Sequence, residues 1–274
     1  MDNHSLPKSR IVGSILCAAL SVVGSILMTV AFATEYEGGT NYFRVGAILP
    51  TAATVVAILA AVLGVVTAFI SPVSREKKNN NRPFASVFAG VGFMACGAKL
   101  LTSAETTFET VSALLLVLAA FYCILDVSRA QSIQSATFYF GFASVLGCAS
   151  LTGVHYFDNT VEMNAPAKVL MQVGLLLAML FFTGELRYRL GQPTPRIYCA
   201  ICACTVSAGS IASLPVIVAY LMGKIDRVDY LLTALLLLGI TITAALRLYT
   251  VFFTKDTKKE EPTESPVPPT DTVL

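Results

Sequence analysis

Eight runs of about 20 apolar residues, joined by short polar connections, leave this chain few ways to fold. The runs cover roughly 11–34, 44–70, 84–103, 110–127, 135–154, 168–186, 197–222 and 229–253. An α-helix of that length crosses the hydrocarbon core of a bilayer and satisfies its own backbone hydrogen bonds where water cannot. An outer-membrane barrel would show alternating segments of roughly ten residues instead. Charged residues make up 13% of the chain and hydrophobic ones 55%, with a mean hydropathy of +0.71. Soluble domains carry about 25% charged residues, so a water-soluble core is excluded. The expected fold is an all-α, polytopic transmembrane helix bundle of about eight spans. No connection is long enough to hold a soluble domain, so residues 1–254 read as one transmembrane domain. Residues 255–274 hold four prolines and many charges without apolar periodicity, and read as a disordered tail.

Lys and Arg set the orientation of such a bundle. Lys8 and Arg10, the 75–82 cluster, Arg129, the 187–196 cluster, Arg247 and the tail fall on one side, which takes fourteen of the nineteen basic residues. The other side has Arg44, Lys99, Lys168, Lys224 and Arg227, together with Glu35, Glu37, Glu105, Glu109, Asp158 and Glu162. Both termini are therefore expected in the cytoplasm, in a multi-pass protein of the plasma membrane. The even number of spans agrees independently. A rival for the first span is a secretory signal, because Lys8 and Arg10 precede an apolar run ending in Ala31-Phe32-Ala33. The run exceeds the 7–15 residues of a signal core, so a retained span is the expectation.

Small residues recur at helical spacing. Gly13, Cys17, Ser21 and Ser25 lie every four residues in span 1, and Ala53, Ala57 and Ala61 do so in span 2. That pattern predicts close helix packing. Shifting the sequence by 114 residues lays Arg82-Pro83-Phe84 over Arg196-Ile197-Tyr198 and suggests a four-plus-four repeat of the kind that builds many transporters.

Chemistry is sparse. His4 and His155 fall outside the spans as bounded above, and there is neither an H-E-x-x-H pair nor a G-x-S-x-G elbow. No enzyme activity, cofactor or metal is expected. The seven cysteines lie mostly inside apolar runs and behave as small hydrophobes. Cys199-x-x-Cys202-x-Cys204 lacks the second pair that a metal centre needs. Basic residues form short clusters beside spans, which gives nucleic acid no surface. The expected partners are the lipid bilayer and other membrane subunits, with a small-molecule substrate left open.

Ionisable residues near spans are functional candidates because their burial in hydrocarbon is costly. Asp126 with Arg129, and Glu185 with Arg189, are spaced to pair on their own helices at a membrane face. Asn164, Lys168 and Gln172 fall at i, i+4 and i+8, which places amide, ammonium and amide on one face at the entrance of span 6. With Ser207 and Ser210 of span 7 they make the candidate ligand-binding set.

Asn164, Pro166, Lys168 and Gln172, then Met179-Leu180-Phe181, Glu185 and Arg187, and finally Pro195, Arg196 and Tyr198 give spans 6 to 8 a recognisable pattern. In it the chain resembles a family of polytopic membrane proteins from anaerobic Gram-positive bacteria that has no assigned activity. The resemblance implies a location and an architecture, and no substrate. Two functions remain as expectations: a small-molecule or ion transporter with a site between spans 6 and 7, or a non-transporting assembly or sensory partner.

Overall fold

The computed structural model describes residues 8–70, 83–128, 134–190 and 194–253, with backbone alone at 8–11, 83–85, 126–128, 134–137, 189 and 251–253. The proposed tail at 255–274 lies outside the described residues. Eight helices follow the eight apolar runs: α1 (Lys8–Thr34), α2 (Leu49–Ile70), α3 (Pro83–Ser103), α4 (Thr107–Ser128), α5 (Gln134–Phe157), α6 (Pro166–Arg189), α7 (Pro195–Leu221) and α8 (Val228–Phe253). All eight are long and apolar enough to span a membrane. The all-α bundle is thus the fold, and both ends of the helical domain lie on one face, here called the terminal face.

The opposite face carries a small feature that hydropathy did not announce. Strands β1 (Tyr36–Glu37) and β2 (Tyr42–Phe43) pair antiparallel between α1 and α2. Asn41 takes the turn's left-handed conformation at φ 58°, which Asn tolerates better than most residues. Phe32, Tyr36 and Phe43 stack their rings beneath the turn at centroid distances of 4.8–5.6 Å. Lys224 reaches from the α7–α8 connection to the carbonyls of Ala33 and Tyr36, at 2.8 and 3.1 Å. A cation there satisfies carbonyls that the end of α1 leaves free. We call this side the hairpin face.

Helices α3 to α8 form a ring in chain order, closed by α8 packing on α3, while α1 and α2 both pack on α7. Helix α3, which a shift of 114 residues lays over α7, packs on α4 and α8, whereas α7 packs on α1, α2, α6 and α8. The two helices therefore have unlike surroundings.

The small-residue stripes do what their spacing predicts. Cys17 donates to the carbonyl of Ala60 at 3.3 Å, and the Ser21 hydroxyl meets that of Ser207 at 2.9 Å. Ser25 donates to the carbonyl of Ser210 at 3.0 Å. Such contacts need backbones that approach closely. Ser207 and Ser210 of α7 thus belong to a seam with α1. The centre of the ring is filled by Phe93, Leu116, Cys148, Phe181, Leu236 and Ile240, each at most 1% exposed.

Candidate functional site

The hairpin-face ends of α3, α4, α5 and α8 enclose a polar pocket of about 450 Å³. Its wall and mouth carry Lys99, Glu105, Glu109, Asp158, Arg227 and Asp229, and its lining includes His155, Thr233 and Cys96. Leu100, Phe108, Leu151, Val154, Phe157 and Leu232 supply the apolar part, with Phe108 and Phe157 in edge-to-face contact at 6.2 Å.

Several of these side chains are fixed by the ends of the helices that carry them. Thr106 and Glu109 form a capping box at the start of α4. The Glu109 carboxylate accepts from the N–H groups of Glu105 and Thr106 at 2.7 and 3.1 Å, and the Thr106 hydroxyl accepts from Glu109 N–H at 3.2 Å. This arrangement settles amides that a helix start leaves unpaired. Arg227, just before α8, bonds Asp158 at 2.5 Å and Asp229 at 3.0 Å, also contacts the Thr160 hydroxyl, and lies 5.0 Å from the ring centre of Tyr230. Burial alone would raise the Asp158 pKa, but hydrogen bonds from Thr160 and the Arg227 guanidinium hold it below its ordinary 3.8. Burial would lower the Arg227 pKa, and Asp229 and Asp158 raise it instead. Asp158 and Arg227 therefore stay charged at neutral pH.

His155 is 3% exposed and its Nε2 lies 2.9 Å from the Thr233 hydroxyl. That hydroxyl donates its proton to the carbonyl of Asp229 at 2.8 Å. It can only accept from the ring, so Nε2 carries the hydrogen and Nδ1 is left as an acceptor. Tyr230 packs edge-on to His155 at 5.4 Å. Its buried hydroxyl has no hydrogen-bond partner.

The terminal-face end of the bundle holds a second buried polar group. Arg247 of α8 grips Glu185 of α6 with two nitrogens, at 2.7 and 2.8 Å, and the Tyr198 hydroxyl of α7 donates to the same carboxylate. Both charged side chains are under one-tenth exposed. Thr233 and Arg247 are fourteen residues apart on α8, or about 21 Å of helix. Leu236, Leu237 and Ile240 fill the interval, all nearly fully buried.

The residues singled out in the sequence do not make one site. Lys168 is fully buried and spends its ammonium on the carbonyls of Asp158 and Val161, at 2.7 and 3.1 Å. It ties the α5–α6 connection and faces no vestibule. Asn164 and Ser207 line a different feature, an apolar groove of about 730 Å³ between α2 and α6 with α7 behind. Gln172 is half-buried and lines neither cavity. Ser210 donates to the carbonyl of Ser207 at 2.9 Å within its own helix. Glu185 pairs across helices with Arg247, because its side chain points inward, while the Arg189 side chain lies outside the described residues. The Asp126 side chain and all of Arg129 also lie outside them.

His155 corrects the sequence reading directly. The apolar run of span 5 ends at residue 154, but α5 runs to Phe157 and His155 sits in its last turn. The signal is in the sequence: an imidazole directly after an apolar run and three residues before Asp158. Arg247 was counted with the charges that set orientation. Its place six residues inside the end of span 8 called for a buried partner. No family model, curated protein or solved structure matches this chain.

Proposed function

We propose that this integral membrane protein is permease-like, and that it takes a small polar solute into the hairpin-face pocket. The terminal face is then cytoplasmic and the membrane is the plasma membrane, in line with the weight of Lys and Arg on that side. The observation that carries the reading is the pocket itself. A cavity with charged groups at its wall and mouth is lined by a buried histidine whose Nδ1 remains available. Ionisable groups buried in a spanning helix are functional candidates by default. The Glu185–Arg247–Tyr198 cluster is compatible with the same reading, because it ties α8, which lines the pocket, to α6 and α7 at the terminal face. Open on one face and shut on the other is the form that alternating access requires of each end state.

Reconstitution into proteoliposomes tests this with a panel of labelled small polar solutes. Saturable uptake or exchange of at least one solute, reduced by Asp229→Asn and by His155→Phe, is the expected result. A specific observation favours a second reading, that of an assembly or sensory partner. The apolar groove between α2 and α6 is large and opens laterally, as a helix-docking surface would. Solute binding without movement across the bilayer would decide for that reading.

A further inference from the structure

We infer that the hairpin-face pocket takes a small solute that carries a protonated amine on a short apolar stem. The inference rests on the reading of that pocket as a solute site and names the chemistry the site selects.

Four carboxylates line the pocket, from Glu105, Glu109, Asp158 and Asp229, against the two cations Lys99 and Arg227. The lining therefore carries an excess of two negative charges. Their present engagements sharpen the preference. Arg227 is held by both Asp158 and Asp229, so its charge is already over-compensated and an incoming anion would have to displace a carboxylate. Glu109 is occupied at the start of α4. Glu105 makes no described side-chain hydrogen bond or ion pair, and it stands at the exposed mouth. Lys99, near the end of α3, is exposed as well.

The buried part of the lining adds an independent argument. His155 is enclosed and its Nε2–H is spent on Thr233, whose own proton is spent on the Asp229 carbonyl. What this pair offers a ligand is the Nδ1 lone pair, which needs a hydrogen donor. An ammonium supplies up to three donors and the charge that the carboxylates favour. A carboxylate ligand supplies neither. The remaining wall of Leu100, Leu151, Val154, Leu232 and the Phe108–Phe157 pair suits an alkyl stem. An aromatic face turned to the ammonium would add cation–π attraction.

The test uses the full-length protein in nanodiscs and saturation-transfer NMR with n-butylammonium, butyrate and butan-1-ol. These are probes of one chain length and three charge states. Each is titrated against the wild type, Glu105→Gln and His155→Phe. Butylammonium is expected to bind saturably and about tenfold or more tighter than butyrate, as a net negative cleft dictates. Glu105→Gln should weaken it about threefold, the size of an exposed ion pair, and His155→Phe should weaken it further. Tighter binding of butyrate that still depends on His155 would overturn the amine and leave the pocket as a solute site. Binding of the charged probes that ignores both substitutions, or no saturable binding by either, would overturn the inference together with the pocket reading beneath it.

Discussion

Glu185 shows how much a single side chain can commit in a membrane interior. Its carboxylate is shared by Arg247 and Tyr198 from two other helices, and the pair can be removed in two ways with different consequences. Arg247→Leu strands a buried carboxylate and should cost about 3–5 kcal/mol of stability, whereas replacing both partners by leucine should recover most of that loss. Denaturant unfolding of the two single variants and the double variant in detergent measures the coupling as a mutant cycle. Additive losses would mean that the pair contributes nothing as a pair. Asp158 gives a prediction of opposite character, in pH. Its folded pKa lies below the ordinary 3.8, so its contribution is fully present above that value and is lost as pH falls through the folded pKa. The melting temperatures of wild type and Asp158→Asn should therefore differ at neutral pH and converge as the pH is lowered below 3.8. A gap that persists in acid would place the effect elsewhere.

The helices were legible because each needed only its own composition, and the seams between them because small residues announce close approach. Gly239 of α8 is the sharpest case. A Cβ there would lie 2.8 Å from the backbone nitrogen of Ala89 and 2.9 Å from the carbonyl carbon of Phe88, and backbone atoms cannot turn aside. Gly239→Ala gains about 1 kcal/mol of helix propensity, yet overpacking costs about 1–3 kcal/mol, so a net loss is expected. Gly39, with nothing within 4 Å of its would-be Cβ, should accept alanine within about 0.5 kcal/mol. Thermal unfolding of both variants compares them, and equal melting temperatures would contradict the seam. The hairpin was hidden because two-residue strands carry no periodicity. The last turn of α5 was hidden because His155 ended the apolar run one turn before the helix ends. Lys168 was legible as an unusual residue, but its role was not. A lysine at a helix start can meet a ligand or bind nearby carbonyls, and only the path of the α5–α6 connection decides between them.

At the scale of the whole molecule, the bundle and its even number of spans could be read from the sequence, and the place of the pocket could not. The pocket draws its lining from segments near residues 100, 155 and 230, which come together only when α8 closes the ring on α3. The polar face of α6 was the stronger local pattern, yet tertiary packing spent Lys168 on carbonyls and Ser207 on a helix seam. The proposed solute site therefore lies among α3, α4, α5 and α8 rather than between α6 and α7. The direct measurement is the melting temperature of the purified protein across a library of small polar solutes, repeated for two sets of variants. A ligand held at about 100 times its Kd stabilises the folded form by about 2.7 kcal/mol. Such a shift should shrink by about 0.6 kcal/mol in Glu105→Gln, the equivalent of a threefold loss of affinity, and by more in His155→Phe, and should be unchanged in Gln172→Ala and Ser207→Ala. A shift that is unchanged in the first pair and lost in the second would contradict that location, and would return the site to the span 6–7 interface.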